Sequence, residues 1–203
     1  MTDAPPARRA DGALPPAGRA RQAAALDRLL APGILAGMVA AAVAGVFAVV
    51  VAGTVRHVGF FTPVYRVAAL VDARALETSL EQARHGQPLW VEWEPLVFGT
   101  VMQLGVGAAF GALFALLVHW LRPPGRVALA LGAGYGLVVM AVTRWLLEPA
   151  AAAAAAPGSP LAHLPGGAGW PAFTLQHLLF GLTLGFWVLA RPQDVAPPGP
   201  RPA

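Results

Sequence analysis

The sequence contains no cysteine, no lysine and no asparagine among its 203 residues. The absence of cysteine excludes disulfide frameworks, thiolate zinc sites and cysteine nucleophiles. Charge is scarce as well: 12% of the residues are charged, against roughly 25% in a soluble globular domain. All 14 basic residues are arginine, and together with 23 glycines and 20 prolines this bias indicates GC-rich codon usage in a bacterium. The net charge of +4 therefore does not indicate a nucleic-acid partner.

Long apolar runs are what the chain has in abundance, since 57% of its residues are hydrophobic. A transmembrane helix needs about 20 mostly apolar residues to cross a bilayer core of about 30 Å. Four runs meet that length: residues 34–55, 96–121, 127–147 and 172–190. They predict an all-α fold, a four-helix transmembrane bundle in which the lipid bilayer is the principal partner.

The distribution of arginine predicts how the bundle is oriented, because cytoplasmic loops are enriched in basic residues. Nine arginines lie on one side of the predicted spans, in residues 1–31, the loop 122–126 and the tail 191–203. The other side has four arginines and six acidic residues. We therefore expect both termini in the cytoplasm and the chain in the bacterial inner membrane.

The segments outside the spans have different compositions. Residues 1–31 are predicted to be a disordered cytoplasmic segment with a short amphipathic helix over residues 21–30, and residues 191–203 a disordered cytoplasmic tail. The first outer loop, 57–95, is predicted to contain one helix over residues 66–84, preceded by a turn or helix start at Pro63. The second outer loop, 148–170, is rich in alanine, glycine and proline, which is a linker composition.

A short repeat relates the second and fourth spans. Gln103-Leu-Gly-Val-Gly107-Ala-Ala-Phe-Gly111 and His177-Leu-Leu-Phe-Gly181-Leu-Thr-Leu-Gly185 share one pattern, and each has a threonine three residues earlier. The first and third spans each carry a Gly-xxx-Gly motif, at residues 33–37 and 132–136. The chain is thus predicted to contain two duplicated helical hairpins. Missing side chains let membrane helices approach closely, so the predicted packing residues are Gly37, Gly45, Gly107, Gly111, Gly132, Gly136, Gly181 and Gly185.

Polar residues within the spans are candidates for function, because ionisable groups in a membrane are costly. The candidate intramembrane polar site consists of His177, Gln103, Thr100 and Thr174. One interpretation is a structural hydrogen-bond network among these four; the others are a proton relay or solute contact, and ligation of haem or copper by His177. Arg144 and Glu148, one turn apart, are predicted to form an ion pair at the membrane interface.

The chain resembles a family of uncharacterised small four-span inner-membrane proteins from bacteria with GC-rich genomes. The resemblance lies in the first span, in Phe60-Phe-Thr-Pro-Val-Tyr65, in the Gly107/Gly111 helix and in Gln176-His-Leu-Leu-Phe-Gly181, and it covers about residues 32–190. Where this chain has Gln103, those proteins often have histidine, so two-histidine ligation is disfavoured here. The resemblance implies membrane residence and assigns no activity.

No catalytic residue, cofactor or metal site is predicted. Glu92, Glu94, His85 and His163 lie on the outer side without a spacing that defines a metal site. We expect a non-catalytic structural, accessory or stress-related membrane protein, acting as a homo-oligomer or beside a membrane partner protein. The alternatives are a small solute or proton transporter or channel with its polar site at Gln103 and His177, and a haem-binding redox protein.

Overall fold

A computed structural model describes residues 16–154 and 169–190 of the chain, and all the regular secondary structure within those ranges is helical. Seven α-helices and one π-helical turn follow one another in this part of the chain. They are α1 (Pro16–Thr54), α2 (Thr62–Ala68), α3 (Arg74–Arg84), α4 (Trp93–Leu121), α5 (Gly125–Val142), the π-helix (Thr143–Leu147), α6 (Glu148–Ala154) and α7 (Trp170–Leu189).

Helix α1 is longer than the sequence predicted. The predicted amphipathic helix at 21–30 and the first span form one helix of 39 residues, and residues 16–20, predicted to be disordered, belong to it. Residues 19–31 are mostly alanine, arginine and leucine, which are strong helix formers. They carry the helix through Pro32, although proline leaves the carbonyl of Arg28 without its usual donor. The rest of the predicted disordered segment, and the tail 191–203, lie outside the described residues.

The segment between α1 and α4 covers one end of the bundle, which we call the capped end. The single helix predicted over residues 66–84 is wrong: α2 and α3 are separate helices. Asp72 accepts a hydrogen bond from the backbone N–H of Arg74 at 3.0 Å, and such side-chain bonds compete with helix continuation. Pro63 lies in the first turn of α2, as predicted.

The capped end has a small core of its own. Tyr65 is fully buried there with Leu76. Its hydroxyl accepts a hydrogen bond from the backbone N–H of Glu92 at 2.8 Å, and its ring meets Trp90 edge-on at 5.7 Å. Thr62 is also buried, and its hydroxyl lies 3.1 Å from that of Ser79. These contacts fix α2 and α3 against the start of α4.

Two helical hairpins form the bundle: α1 packs along α4, and α5 packs along α7. Glycines bring the backbones into contact in both. A Cβ added to Gly37 would lie 2.8 Å from the Cα of Gly111, and one added to Gly132 would lie 2.9 Å from the Cα of Gly185. No larger residue fits at such positions without moving backbone. Seven of the eight predicted packing glycines are buried and Gly45 is partly buried.

The glycine contacts define how the two hairpins correspond. Gly107 lies against the carbonyl of Gly37, and Gly181 lies against the carbonyl of Gly132. Gly111 and Gly185 contact the carbonyls of Gly33 and Ala128 in the same way. Gly37 therefore corresponds to Gly132, so the two Gly-xxx-Gly motifs of the first and third spans are offset by one helical turn.

The hairpins meet mainly through α1 and α7. The shared core combines small residues of α1 with larger ones of the other helices: Ala36, Ala40, Ala41, Ala44, Phe114, Val139, Phe180 and Leu184. Helices α4 and α5 contact each other much less. The Tyr135 hydroxyl donates to the carbonyl of Phe110 at 2.7 Å, and the Tyr135 ring packs on Phe114 at 5.0 Å. These contacts join α4 and α5 near the middle of the bundle.

Within the described part of the chain, four helices are long and apolar enough to cross a membrane: Leu26–Thr54, Trp93–Leu121, Gly125–Ala150 and Trp170–Leu189. Large apolar side chains cover their outer surfaces, with Val46 66% and Leu146 62% exposed. Soluble proteins rarely expose so large a continuous apolar surface to water, whereas a surface in contact with lipid tails is apolar. The chain is therefore a multi-pass membrane protein with an all-α four-helix bundle.

Candidate functional site

A cavity of about 630 Å³ lies between the two hairpins, in the half of the bundle nearer the capped end. Helices α1, α2 and α4 form one side, and α5, the π-helix and α7 form the other. Tyr135, which joins α4 to α5, lies one turn beyond Val139, the innermost α5 residue of the lining. The cavity therefore occupies the space where α4 and α5 separate, and its size is within the usual range for small-molecule sites, about 300–1,000 Å³.

The inner part of the cavity is apolar. Its walls are alanine, valine and phenylalanine side chains of four helices: Ala41, Ala44, Phe47, Ala48, Val51, Val106, Phe110, Val139 and Phe180. Val106 is both a lining residue and 46% exposed on the outer surface of the bundle. An apolar molecule in the membrane would thus meet the cavity lining at the gap between α4 and α5.

Gln103 and His177, two of the predicted polar site residues, both line this cavity. Gln103 donates from Nε2 to the carbonyl of Ala41 on α1 at 3.1 Å. His177 bonds through Nδ1 to the carbonyl of Phe173 on its own helix at 2.9 Å, and its ring lies 4.4 Å from the ring of Phe173. The Nδ1 hydrogen bond requires a proton on Nδ1, and in the neutral imidazole Nε2 is then an acceptor.

Thr100 and Thr174, the other two predicted residues, are not part of the cavity lining. Thr100 is exposed on the outer surface of α4, and its hydroxyl donates to the carbonyl of Leu96 at 2.8 Å. The predicted network among four side chains is therefore not formed in the described part of the chain. The physical reason is that Thr100, Gln103 and His177 each bond to a nearby backbone carbonyl, which satisfies them without a partner side chain.

The part of the cavity nearer the capped end is charged. Arg144 and Glu148 form the predicted ion pair, with Nη1 of Arg144 2.8 Å from Oε2 of Glu148. The Arg144 guanidinium also lies 5.9 Å from the centre of the Trp170 ring. Both residues line the cavity and are about one-third exposed. Arg144 is thus already engaged by an anion and an aromatic face.

A π-helical turn presents this ion pair to the cavity. The backbone N–H of Glu148 bonds to the carbonyl of Thr143, five residues earlier, instead of four. Pro149 follows, and a proline ring inside a helix clashes with the carbonyl four residues before it. A wider turn relieves such a clash, and single π turns are frequent at functional sites.

Arg56 and Arg66 also line the cavity near the capped end. Neither forms an ion pair within the described residues, and the intervening segment 155–168 contains no acidic residue. The Nε of Arg66 is buried without a hydrogen-bond partner in the same ranges. Burial lowers the pKa of the Arg66 guanidinium, and the negative charge of Glu148 opposes that shift. Three arginines and one glutamate therefore give this region a net positive charge.

The site offers no cluster for a metal. Within residues 16–154 and 169–190, no three histidine or acidic side chains come together. His85 bonds to the carbonyl of Glu81 through Nδ1 at 3.0 Å, and His163 lies outside the described residues. Among the histidines that the structure describes, only His177 lines the cavity.

The comparisons with known proteins give no assignment: no protein-family model, curated protein or solved structure matches the chain. The sequence predicted Gln103, His177 and the Arg144–Glu148 ion pair, but not that Arg56 and Arg66 line the cavity. These two belong to the four arginines of the predicted outer side. The available signal was their position: Arg56 directly follows the first span, and Arg66 directly follows the aromatic segment 60–65.

Proposed function

We propose that this protein is a non-catalytic multi-pass protein of the bacterial cytoplasmic membrane that binds a small, mainly apolar molecule between its two hairpins. The observation that supports this is the cavity of about 630 Å³, whose inner walls are apolar and whose outer part is polar. Binding sites of this kind combine an apolar lining with a few polar groups. The capped end faces the periplasm, and both termini lie in the cytoplasm.

The orientation can be tested with fusions of a topology reporter. A reporter fused after Arg84 should be exported, and one fused after Pro124 should remain cytoplasmic, because Arg122 and Arg126 flank the short loop. The opposite pattern would place the capped end in the cytoplasm.

Ligand binding can be tested by photolabelling the protein in lipid nanodiscs with a long-chain alcohol that carries a diazirine in its tail. Lipid-facing residues such as Val46 will be labelled without saturation. Saturable labels are expected on Phe47 and Val51, which line the cavity. The variant Ala48→Phe should remove the saturable labels by filling the cavity, whereas Ala42→Phe, on the exposed face of the same helix, should not.

Two results would count against this proposal. Labels confined to lipid-facing side chains would show that no molecule occupies the cavity. Equal labelling of wild type and the Ala48→Phe variant would show that the saturable site lies elsewhere.

The transporter alternative shares this site, because Gln103 and His177 line it. It requires in addition a path to the other side of the membrane. The Tyr135 hydroxyl and the aromatic pair that it forms with Phe114 lie across the gap between α4 and α5. The described structure thus supports binding from one side more directly than passage through the bundle.

A further inference from the structure

The positive charge in the part of the cavity nearer the capped end supports a more specific inference about the ligand. This inference rests on the proposed binding function. We propose that the cavity binds a single-chain anionic amphiphile, with its carboxylate or phosphate group at Arg66 and Arg56 and its hydrocarbon chain between the hairpins.

The charges favour an anion over a cation or a neutral headgroup. Four charged side chains line the cavity, namely Arg56, Arg66, Arg144 and Glu148. Glu148 is bound to Arg144 at 2.8 Å, so the remaining two positive charges have no matching negative charge within the described residues. Arg66 is partly buried, whereas Arg56 is exposed. A cation removed from water without a partner is costly, and an anionic headgroup would supply that partner for Arg66. The unpaired Nε of Arg66 is a donor available for the same group.

The geometry of the site matches an amphiphile that lies parallel to the membrane helices. Arg66 belongs to α2, at the capped end, and Arg56 follows the end of α1. A Cβ added to Gly169, which precedes α7, would lie 3.4 Å from Nη1 of Arg56. The arginines therefore lie between the ends of both hairpins, at headgroup level. The apolar lining extends from there to Phe110 and Val139, deeper in the bundle.

Arginine suits this role chemically. Its planar guanidinium donates several hydrogen bonds in a fork that matches carboxylate and phosphate oxygens. A charge-assisted hydrogen bond contributes more than a neutral one, so loss of the charge at Arg66 should weaken binding of an anion about tenfold. The hydrocarbon chain should bind with or without that charge.

The test measures displacement of the alcohol photolabel by unlabelled competitors in phosphatidylcholine nanodiscs at about pH 8.5, where free carboxyl groups are ionised. Oleate and 1-oleoyl-lysophosphatidate should displace the label at about tenfold lower concentration than oleyl alcohol. Acetate, which lacks the chain, should not displace it. Displacement by oleate alone would identify a free fatty acid, and displacement by lysophosphatidate alone a phospholipid-type headgroup.

Variants locate the headgroup. Arg66→Gln should abolish the advantage of the anions over oleyl alcohol, while Arg66→Lys should retain part of it. Arg74→Gln is the matched control, because Arg74 is an exposed residue of α3 outside the cavity lining. Since Arg66 is partly buried, its variants are compared only if their thermal unfolding resembles that of wild type; the comparison of oleate with oleyl alcohol needs no variant.

The outcomes separate this inference from the proposed function. Saturable labelling that Ala48→Phe removes, with oleate and oleyl alcohol equally effective, would overturn the anionic ligand and leave the binding function intact. If acetate displaced the label as effectively as oleate, binding would not need a hydrocarbon chain, and the proposal of an amphiphilic ligand would be overturned. Absence of any saturable labelling would overturn both proposals together.

Discussion

The two hairpins use the same glycine contacts but treat their equivalent polar residues differently. In the first hairpin, Gln103 crosses to α1 and bonds to the carbonyl of Ala41 at 3.1 Å. In the second, His177 bonds to Phe173 on its own helix. A Cβ on Gly45 would meet Nε2 of Gln103 at close range, so this glycine provides the space for the crossing amide.

The glycine register identifies Met140 as the counterpart of Gly45, because Gly37 and Gly132 are equivalent and both residues follow by eight positions. The second hairpin therefore has a large side chain where the first has none. We therefore expect this residue of the neighbouring helix to determine whether the polar side chain bonds across to that helix or to its own.

The largest expected effect comes from filling the glycine contacts, and it should be the same in both hairpins. Gly37→Leu and Gly132→Leu would each press a side chain into backbone of the opposite helix, and overpacking costs about 1–3 kcal/mol or more. Gly105→Leu and Gly134→Leu are matched controls, because nothing lies within 4 Å of an added Cβ at either position. Unfolding by denaturing detergent measures the difference. A loss of stability in only one hairpin would break the correspondence between them.

Removal of the equivalent polar side chains should destabilise the two hairpins to different degrees. Gln103→Leu loses a bond between helices and should destabilise the protein by about 0.6 kcal/mol and at most about 1.7 kcal/mol, the average and the maximum measured for such bonds in a membrane protein. His177→Leu should cost less, because its bond lies within α7. His177→Gln should leave stability nearly unchanged. The same unfolding assay applies, and equal losses for Gln103→Leu and His177→Leu would contradict the contrast drawn between them.

A double-mutant cycle sharpens the same point. Met140→Gly combined with His177→Gln should give the second hairpin the geometry of the first, with the new amide able to reach the carbonyl of Gly136, the counterpart of Ala41. We expect a favourable coupling free energy of about 0.5–1 kcal/mol between the two substitutions. Each single variant provides the control. A coupling near zero would mean that space at Met140 does not determine the path of the polar side chain.

The smallest effect is expected at Thr100, which was predicted to belong to the polar site. It is exposed and bonds only to Leu96 of its own helix, so Thr100→Val should change stability by less than about 0.5 kcal/mol. Thr62→Val is the comparison, because Thr62 is buried beside Ser79 in the capped end. It should cost about 1–3 kcal/mol. If Thr100→Val lost as much stability as Thr62→Val, Thr100 would have to belong to a buried hydrogen-bond network.

Apolar length and small-residue spacing were sufficient to predict the four helices, the hairpins and the packing glycines, since both depend on local sequence. They could not predict that α1 continues through Pro32, because favourable propensity on both sides overrode a local breaker. Nor could they predict the break between α2 and α3 or the π-helical turn, which arise from hydrogen bonds of Asp72 and from Pro149. The repeat in the second and fourth spans indicated that Gln103 and His177 occupy equivalent positions. The cavity that they line depends on where α4 and α5 separate, and the sequence of a single helix does not determine that.

The central claim is that a water-accessible cavity lies between the hairpins at the capped end, and we propose that this end faces the outer side of the membrane. Because the chain has no cysteine, single cysteines can be introduced without background and exposed to a charged, membrane-impermeant thiol reagent in intact cells. The most direct pair is Gln176→Cys, in the cavity lining, and Leu175→Cys, its neighbour on the 47% exposed lipid-facing surface. Reagents of this kind react with the thiolate, which forms only where water has access. The account predicts rapid labelling at position 176, slowed by oleate, and little at 175; equal labelling of the two, or faster labelling at 175, would contradict it.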